Sequence, residues 1–495
     1  MPRERRLLTA VSIALFVLLA GPAVRAPDGL EQLAMVRGWL GGPELAMTSQ
    51  WAPLWPVLLV PLAWLGLEQA AWTLNLVLAG AVAWPLHLLV ETVSGRRAAR
   101  VAVAAWVLMP TVLMHAVVID ARPLLWLLVT LVPALAVSGR WKAAFAVAVM
   151  APLARPEGAV ALPLLAAAWL LTGGDWKRAA GGLVVGVLPT AAVRAVRGGR
   201  GAWEAFYSPW ASTWPTDDFL ALTGAASGPT AYREFLLAGV DAGIEAPPSD
   251  PMALLERLPR GLAMVGQGLV ESLGAVLLLA ALVGLIRVAL GGWKPAVLAA
   301  MVLAPMLALA PMPMLDGQGT LATNLLFLAP VLLAAAVHGA FWIAGKRGRL
   351  WPLAAVVMFG GTLESRFGPL RCPDPVYLED SQSADAMTAW LLGNGPEDGT
   401  VACTITGRGV VFRAGLSPVA LPSTWEGWDP PDGTGVLLTT VDLLGQDGGR
   451  GLELLESPDW ELMWVVSDAD LAAWTGGSTG SDTWLGYLRK RSTSR

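Results

Sequence analysis

Two acids three residues apart, Asp28 and Glu31, stand just beyond the first long apolar run, in Pro27-Asp28-Gly29-Leu30-Glu31-Gln32. On a helix this spacing puts both carboxylates on one face. A carboxylate held at a membrane surface beside apolar walls is costly to keep charged, and such residues are more often functional than decorative. A solvated acidic loop is the plain alternative. Arg37 follows, then the Pro- and Trp-rich run Trp51-Ala52-Pro53-Leu54-Trp55-Pro56. Two more turns offer acid and base together: Asp120 with Arg122 in Val117–Pro123, and Arg155 with Glu157 in Leu153–Gly158. Taken singly, each reads as a structural ion pair. Their agreement in depth points to a shared cavity.

The chemistry such a cavity suits follows from what lies outside a cytoplasmic membrane. No nucleotide sugar or ATP is available there, so an activated group must arrive on a lipid. Cleaving a sugar from a polyprenyl phosphate needs a carboxylate to deprotonate the attacking hydroxyl. It also needs a cation for the departing phosphate, and the forked guanidinium of Arg suits that role.

The elements that must position these residues are membrane spans. Of 495 residues, 55% are hydrophobic and 15% charged, with 24 Trp beside four Tyr. Mean hydropathy is +0.57. Soluble domains average about 25% charged residues, so the chain reads as a polytopic α-helical membrane protein. Eleven apolar runs recur, near 7–24, 71–92, 101–118, 122–138, 141–154, 159–173, 178–196, 262–286, 295–314, 320–343 and 350–363. The runs 141–154, 159–173 and 350–363 fall short of the usual ~17–25 residues and are the ones that could be re-entrant. With the N-terminus cytoplasmic, the inside loops carry 15 Lys or Arg, whereas the outside segments around 25–70, 118–122, 155–158 and 314–320 hold only Arg25, Arg37, Arg122 and Arg155. This is the asymmetry of the positive-inside rule. Met1–Arg6 and the run that follows are expected to form an uncleaved first helix, because Val24-Arg25-Ala26 is a poor cleavage site.

Residues 1–363 thus make a transmembrane module with outside loops at 25–70 and 198–261, the second holding Trp210, Trp214, Asp217 and Asp218 and an expected interfacial helix over 251–258. From 364 to 495 helix-like pieces (384–392, 452–456, 468–474) alternate with strand-like ones (401–406, 436–440, 462–467), the pattern of a small exoplasmic α/β domain. It holds 9 basic against 19 acidic residues, which argues against nucleic acid. Cys372 and Cys403 both fall in it, and either a disulfide or two buried thiols fits.

Motifs exclude several classes. No C-x-x-C, H-E-x-x-H or Walker pattern occurs, and no G-x-G-x-x-G follows a strand. His87, His115 and His338 lie far apart inside apolar runs and read as core or pore-lining residues. These residues neither require nor rule out a divalent cation as cofactor. Trp39, Trp51, Trp55, Trp203, Trp210 and Trp214 suit an interfacial belt or sugar stacking, with Trp210 and Trp214 the best candidates for stacking.

The first third of the chain resembles the GT-C glycosyltransferases, multi-span enzymes that use polyprenyl-phosphate sugars, such as protein mannosyltransferases and lipid A aminoarabinose transferases. The resemblance rests on an ordered set. It runs from Asp28 through Pro53-Leu54-Trp55-Pro56, Leu65-Gly66, Leu74-Asn75-Leu76 and Ser94–Ala99 to Asp120 and Ala154-Arg155-Pro156-Glu157-Gly158. It covers residues 1–175 and is architectural beyond. It implies about 11 transmembrane helices of GT-C type and a polyprenyl-phosphate-linked sugar donor. The acceptor is left open as protein, lipid or glycan. By this resemblance Asp28 is the catalytic base and Asp120 a second acid at the site. Arg155 and Arg122 would serve the donor phosphate, and Glu31, Arg37, Glu157, Trp210 and Trp214 would line the substrate site. Many members carry Arg-Tyr at the start of a late span, where this chain has Thr323-Asn324-Leu325-Leu326. That departure keeps two alternatives in view, a lipid-linked-sugar flippase and an inactive GT-C-like scaffold. The absence of an internal repeat counts against a transporter.

Overall fold

A computed structural model of the chain describes residues 3–21, 23–25, 27–41, 52–196, part of 259–289, 326–344, 352, 358, 375–396, 399–403, 408–420, 435–438, 458–465 and 486–490. The chain divides into two compact units. The first takes in Met1–Ala23, Trp51–Trp210 and Asp250–Pro373, and the second Val24–Gln50, Ala211–Ser249 and Asp374–Arg495.

The first unit is helical. Helix α1 (Arg3–Leu19) leads in, and α2 (Pro27–Trp39) belongs to the second unit. A short turn of helix, α3 (Leu54–Leu59), and a 3-10 segment (Val60–Leu65) end at Gly66, whose positive φ of 87° releases the chain into α4 (Leu67–Ala81). With α5 (Ala83–Ser94) this makes one helix of 28 residues, Leu67–Ser94, long and apolar enough to cross a membrane. At 1.5 Å per residue it reaches about 42 Å. Helix α1 lies close against it, since a Cβ on Gly80 would sit 2.6 Å from the Ile13 backbone.

The run expected at 101–118 is broken. Pro110 drives the preceding residue out of the helical region. Met109 is accordingly extended (φ −71°, ψ 113°), and α6 (Arg96–Leu108) meets α7 (Pro110–Ala116) at 58°. Helices α8 (Arg122–Val137), α9 (Trp141–Ala154) and α10 (Ala161–Leu171) follow, then α11 (Trp176–Val196). Trp106 and Trp126 meet edge to face at 5.4 Å in the core, and the Trp106 indole donates to the Ala79 carbonyl at 2.9 Å.

Helices α12 (Ala275–Ala289) and α13 (Ala329–Ile343) pack backbone to backbone. A Cβ on Gly284 would lie 2.0 Å from the Ala335 carbonyl oxygen, and one on Gly339 2.1 Å from that of Ala280. Small residues four apart on both helices permit this approach, the usual device where lipid tails offer no hydrophobic drive between helices. The runs at 295–314 and 350–363, the 251–258 helix and most of the loop 198–261 lie outside the described residues. Among the described residues one helix, and with it the bent α6–α7 pair, is long and apolar enough to span by length and composition.

At the end of the bundle where the basic loops gather, ion pairs tie α1 to α5 and α6. Arg5 bonds the Glu91 carboxylate at 2.5 and 3.2 Å, and Glu4 pairs with Arg96 and, at 2.7 Å, with Arg100. Ser94 Oγ lies 2.8 Å from His338 Nδ1.

The second unit is α/β. A five-stranded sheet of β1 (Thr400–Cys403), β2 (Ser417–Ala420), β3 (Gly435–Leu438), β4 (Trp460–Val465) and β5 (Gly486–Lys490) runs in the order β2-β1-β3-β5-β4. β1 pairs in parallel with β2 and β3, whereas β5 is antiparallel to β3 and β4. Helices α14 (Pro375–Asn394) and α15 (Arg408–Arg413) cover a core of Met387, Leu391, Val401, Val410, Val411 and Ala414. Helix α2 (Pro27–Trp39) packs on α15 in this same unit. Leu33, Met35 and Val36 are buried, which gives α2 an apolar anchor.

Candidate active site

Side chains from α4, α7, α8 and the turn after α9 gather around Asp120. Asn75, wholly buried in α4, donates through Nδ2 to the carbonyls of Val118 (2.8 Å) and Asp120 (3.0 Å), and its Oδ1 accepts the Trp55 indole N–H at 2.9 Å. Every hydrogen-bonding direction but one on that amide is used. The turn at 118–120 is thereby fixed to α4 and, through Trp55, to α3.

Asp120 Oδ1 accepts the backbone N–H of Arg122 at 2.7 Å, closing the first turn of α8. Pro123 takes the second helical position, where its missing N–H costs nothing. Asp120 Oδ2 faces the Arg122 guanidinium (Nε, 3.0 Å) and that of Arg155 (Nη1, 3.6 Å). On its other flank Arg122 Nη1 lies 3.1 Å from His115 Nδ1. A guanidinium only donates, so Nδ1 is the bare nitrogen and His115 is the neutral imidazole with its proton on Nε2. Asp120 is 1% exposed, Arg122 5%, His115 7% and Arg155 8%, so four polar side chains share one buried site.

Arg155 reaches this point because α9 stops before Pro156, which throws Arg155 into extended backbone (φ −153°, ψ 148°). The 3-10 turn that follows (Pro156–Val160) then packs back on α9 at Gly158. A Cβ there would stand 2.3 Å from the Ala151 carbonyl oxygen, so only glycine lets the turn close.

Of the residues singled out in the sequence, Asp120, Arg122 and Arg155 are thus in direct contact. Glu157 lies in the 3-10 turn and Asp28 and Glu31 in α2, but their side chains lie outside what the structure describes. Arg37 is half-buried in the last turn of α2. Trp210, Trp214 and Cys372 lie outside the described residues. Asn75 entered the sequence reading only as the opening of a span, and His115 only as a core or pore-lining histidine. The signal for both was a polar residue inside an apolar run. Among the described residues no three of His, Cys, Asp and Glu gather as a metal site. Asp120 Oδ2 faces two guanidiniums, a setting that repels a divalent cation.

Two guanidiniums gathered at one buried carboxylate are groups of the kind that bind phosphate oxygens in a forked geometry. No protein-family model matches the sequence, and no curated protein matches it. Solved structures do. The fold is similar over 98% of both chains to ArnT from Cupriavidus metallidurans bound to undecaprenyl phosphate, with a TM-score of 0.53 and 14% identity. It is also similar to the oligosaccharyltransferase of Archaeoglobus fulgidus in the apo form, with a TM-score of 0.51, 14% identity and 85% of this chain covered; the chain spans 65% of that enzyme's length. Both proteins are GT-C glycosyltransferases. The chain shares the fold of these GT-C proteins.

Proposed function

We propose that this protein is an inverting glycosyltransferase acting on the outer face of the cytoplasmic membrane. It moves a sugar from a polyprenyl-phosphate donor to a cell-envelope acceptor. The observation that carries this reading is the pair of guanidiniums, Arg122 and Arg155, held by one buried carboxylate in a chain of GT-C fold. In this scheme Asp28 takes the proton of the acceptor hydroxyl. The acceptor oxygen attacks the anomeric carbon, the bond from that carbon to the phosphate oxygen breaks, and the lipid phosphate leaves against Arg122 and Arg155. Asp120 holds the two guanidiniums and is not itself the base, because Oδ1 accepts the Arg122 backbone N–H and Oδ2 faces both guanidiniums. Glu31, Arg37, Glu157, Trp210 and Trp214 line the donor and acceptor paths.

The membrane module has about eleven spans, the N-terminus is cytoplasmic and the C-terminal domain is exoplasmic. Packing within the second unit supports that orientation. Helix α2 and the C-terminal sheet form one compact body, so an even number of crossings separates residue 39 from residue 375. Eleven spans with the first before residue 25 satisfy that parity.

The test is sugar transfer by the purified protein in lipid discs, from a panel of radiolabelled polyprenyl-phosphate sugars to an envelope extract. Wild type should transfer one of them, and Asp28→Asn, folded, should not. Equal transfer by both would remove Asp28 as the base. No transfer by either on the whole panel would sink the transferase reading and make lipid flipping the next assay.

A further inference from the structure

We propose that the Arg287 end of α12 and the Trp342 end of α13 form a headgroup site for an anionic phospholipid, whose acyl chain lies along Leu279, Leu282 and Ile286. The surface is separate from the Asp120 cluster and does not rest on the transferase reading.

The direction of the two helices builds it. Gly284 and Gly339 face each other, and a Cβ on either would strike the carbonyl one turn back on the other helix, that of Ala335 or of Ala280. This pattern requires α12 and α13 to run side by side in the same direction, so they end together. Three residues past the two glycines Arg287 and Trp342 meet, with the guanidinium carbon 5.9 Å from the ring centroid. One turn before Trp342, His338 meets Ser94. That contact places this end with the basic loop of Arg96 and Arg100.

Charge decides what the end can hold. Arg5, Arg96 and Arg100 at this level are matched by Glu91 and Glu4. Among the described residues Arg287 faces no carboxylate, and its contact is the Trp342 ring. The neighbouring sequence offers little else, since from Ser272 to Leu363 the single acid is Asp316, in a loop expected on the opposite membrane face. A guanidinium at the edge of the hydrocarbon reaches for the interface, where phosphate oxygens are the acceptors at hand. Stacking on Trp342 steadies the plane of the fork while leaving its N–H donors to point outward.

The apolar half of the site lies on α12. Leu279, Leu282 and Ile286 are spaced three and four residues apart, so they form one stripe, and they are 62%, 43% and 63% exposed. From Leu279 to Arg287 the helix rises about 12 Å, within the ~15 Å of hydrocarbon in one leaflet. A phosphate at Arg287 therefore lays an acyl chain over the stripe. A zwitterionic lipid brings its own ammonium to that phosphate. An anionic headgroup brings none, and so gains more from Arg287.

Native mass spectrometry of the full chain released from micelles, with equal dioleoyl phosphatidylglycerol and phosphatidylcholine, tests this. Wild type should retain phosphatidylglycerol over phosphatidylcholine by about fivefold, the factor that one surface cation contributes. Arg287→Gln should bring the two lipids to within about twofold of each other, whereas Arg287→Lys, which keeps the charge, should preserve the preference. The unfolding temperature in phosphatidylcholine micelles checks that each variant is folded. Arg96→Gln removes a cation at the same end and should leave the ratio unchanged. Leu282→Asn interrupts the stripe without touching the cation and should lower phosphatidylglycerol retention. Equal retention of both lipids by wild type would overturn the proposal, as would an unchanged ratio in folded Arg287→Gln or unchanged retention in Leu282→Asn. If Arg96→Gln lowers the ratio as far as Arg287→Gln does, a diffuse positive field accounts for the preference and there is no site at Arg287.

Discussion

Replacing Asn75 by Leu is the sharpest structural test of how the site is held. The two side chains are close in size, so the change is chiefly one of polarity. It removes three hydrogen bonds, from Trp55 Nε1 and to the carbonyls of Val118 and Asp120. Trp55 and Asn75 are wholly buried, and no water reaches the orphaned indole N–H. At the average of about 0.6 kcal/mol per interhelical bond in membrane proteins, the loss is ~2 kcal/mol. Each deserted buried group adds its own penalty of ~1–3 kcal/mol when no new partner is found. An overall loss of ~2–5 kcal/mol is therefore expected. Reversible unfolding in mixed micelles would measure it, with Trp55→Phe alongside. Trp55→Phe removes only the indole donor and should cost less. The double variant should cost less than the two single changes added together, because they share one bond. A loss below ~0.5 kcal/mol for Asn75→Leu, within the range of ordinary surface changes, would refute the idea that this amide sets the turn bearing Asp120.

Three further outcomes follow from close approaches and burial. Gly158→Ala puts a Cβ against the Ala151 carbonyl oxygen at 2.3 Å. The turn holding Arg155 must shift, and since a misplacement of ~1 Å can cost about a hundredfold in rate, kcat/KM for sugar transfer should fall by one to two orders of magnitude; wild-type activity would show that the turn does not position Arg155. Gly284→Ala meets the Ala335 carbonyl oxygen at 2.0 Å and should destabilise the membrane module by about 1–3 kcal/mol, read from micelle unfolding. Leu391→Ala, at a side chain 1% exposed in the second unit's core, should cost about 2–5 kcal/mol and speed proteolysis of the C-terminal domain in the full chain.

What the sequence made legible was whatever depends on runs and nearest neighbours. The apolar stretches at 122–138 and 141–154 are α8 and α9 to within a residue, because composition alone decides them. Pro156 after Arg155 marked a turn, and the turn is there. The strand-like pieces at 401–406, 436–440 and 462–467 fall on β1, β3 and β4. Other features depend on distant partners and left no local trace. The kink at Pro110 divides a run that hydropathy reads as continuous. Strands β2 and β5 have four and five residues, one with a proline inside, and owe their existence to pairing with β1, β3 and β4. Asn75 and His115 looked like lone polar residues in apolar helices. Their meaning comes from carbonyls and a guanidinium that stand 43, 45 and 7 residues further along the chain.

The division of labour within the cluster bears on what the site is for. Ions buried in a helical membrane module carry a desolvation cost of several kcal/mol each, and a pair repays it only with good geometry. Asp120 and Arg122 are joined by a hydrogen bond from the Arg122 backbone N–H to Oδ1 at 2.7 Å and an ion-pair contact of Nε with Oδ2 at 3.0 Å. Together with Asn75 they suffice to hold the turn and start α8. Arg155 approaches the same carboxylate only to 3.6 Å and from a different turn. The hydrogen bond that starts α8 does not use Arg155, whereas recognition of a phosphate calls for a second guanidinium brought to the same point.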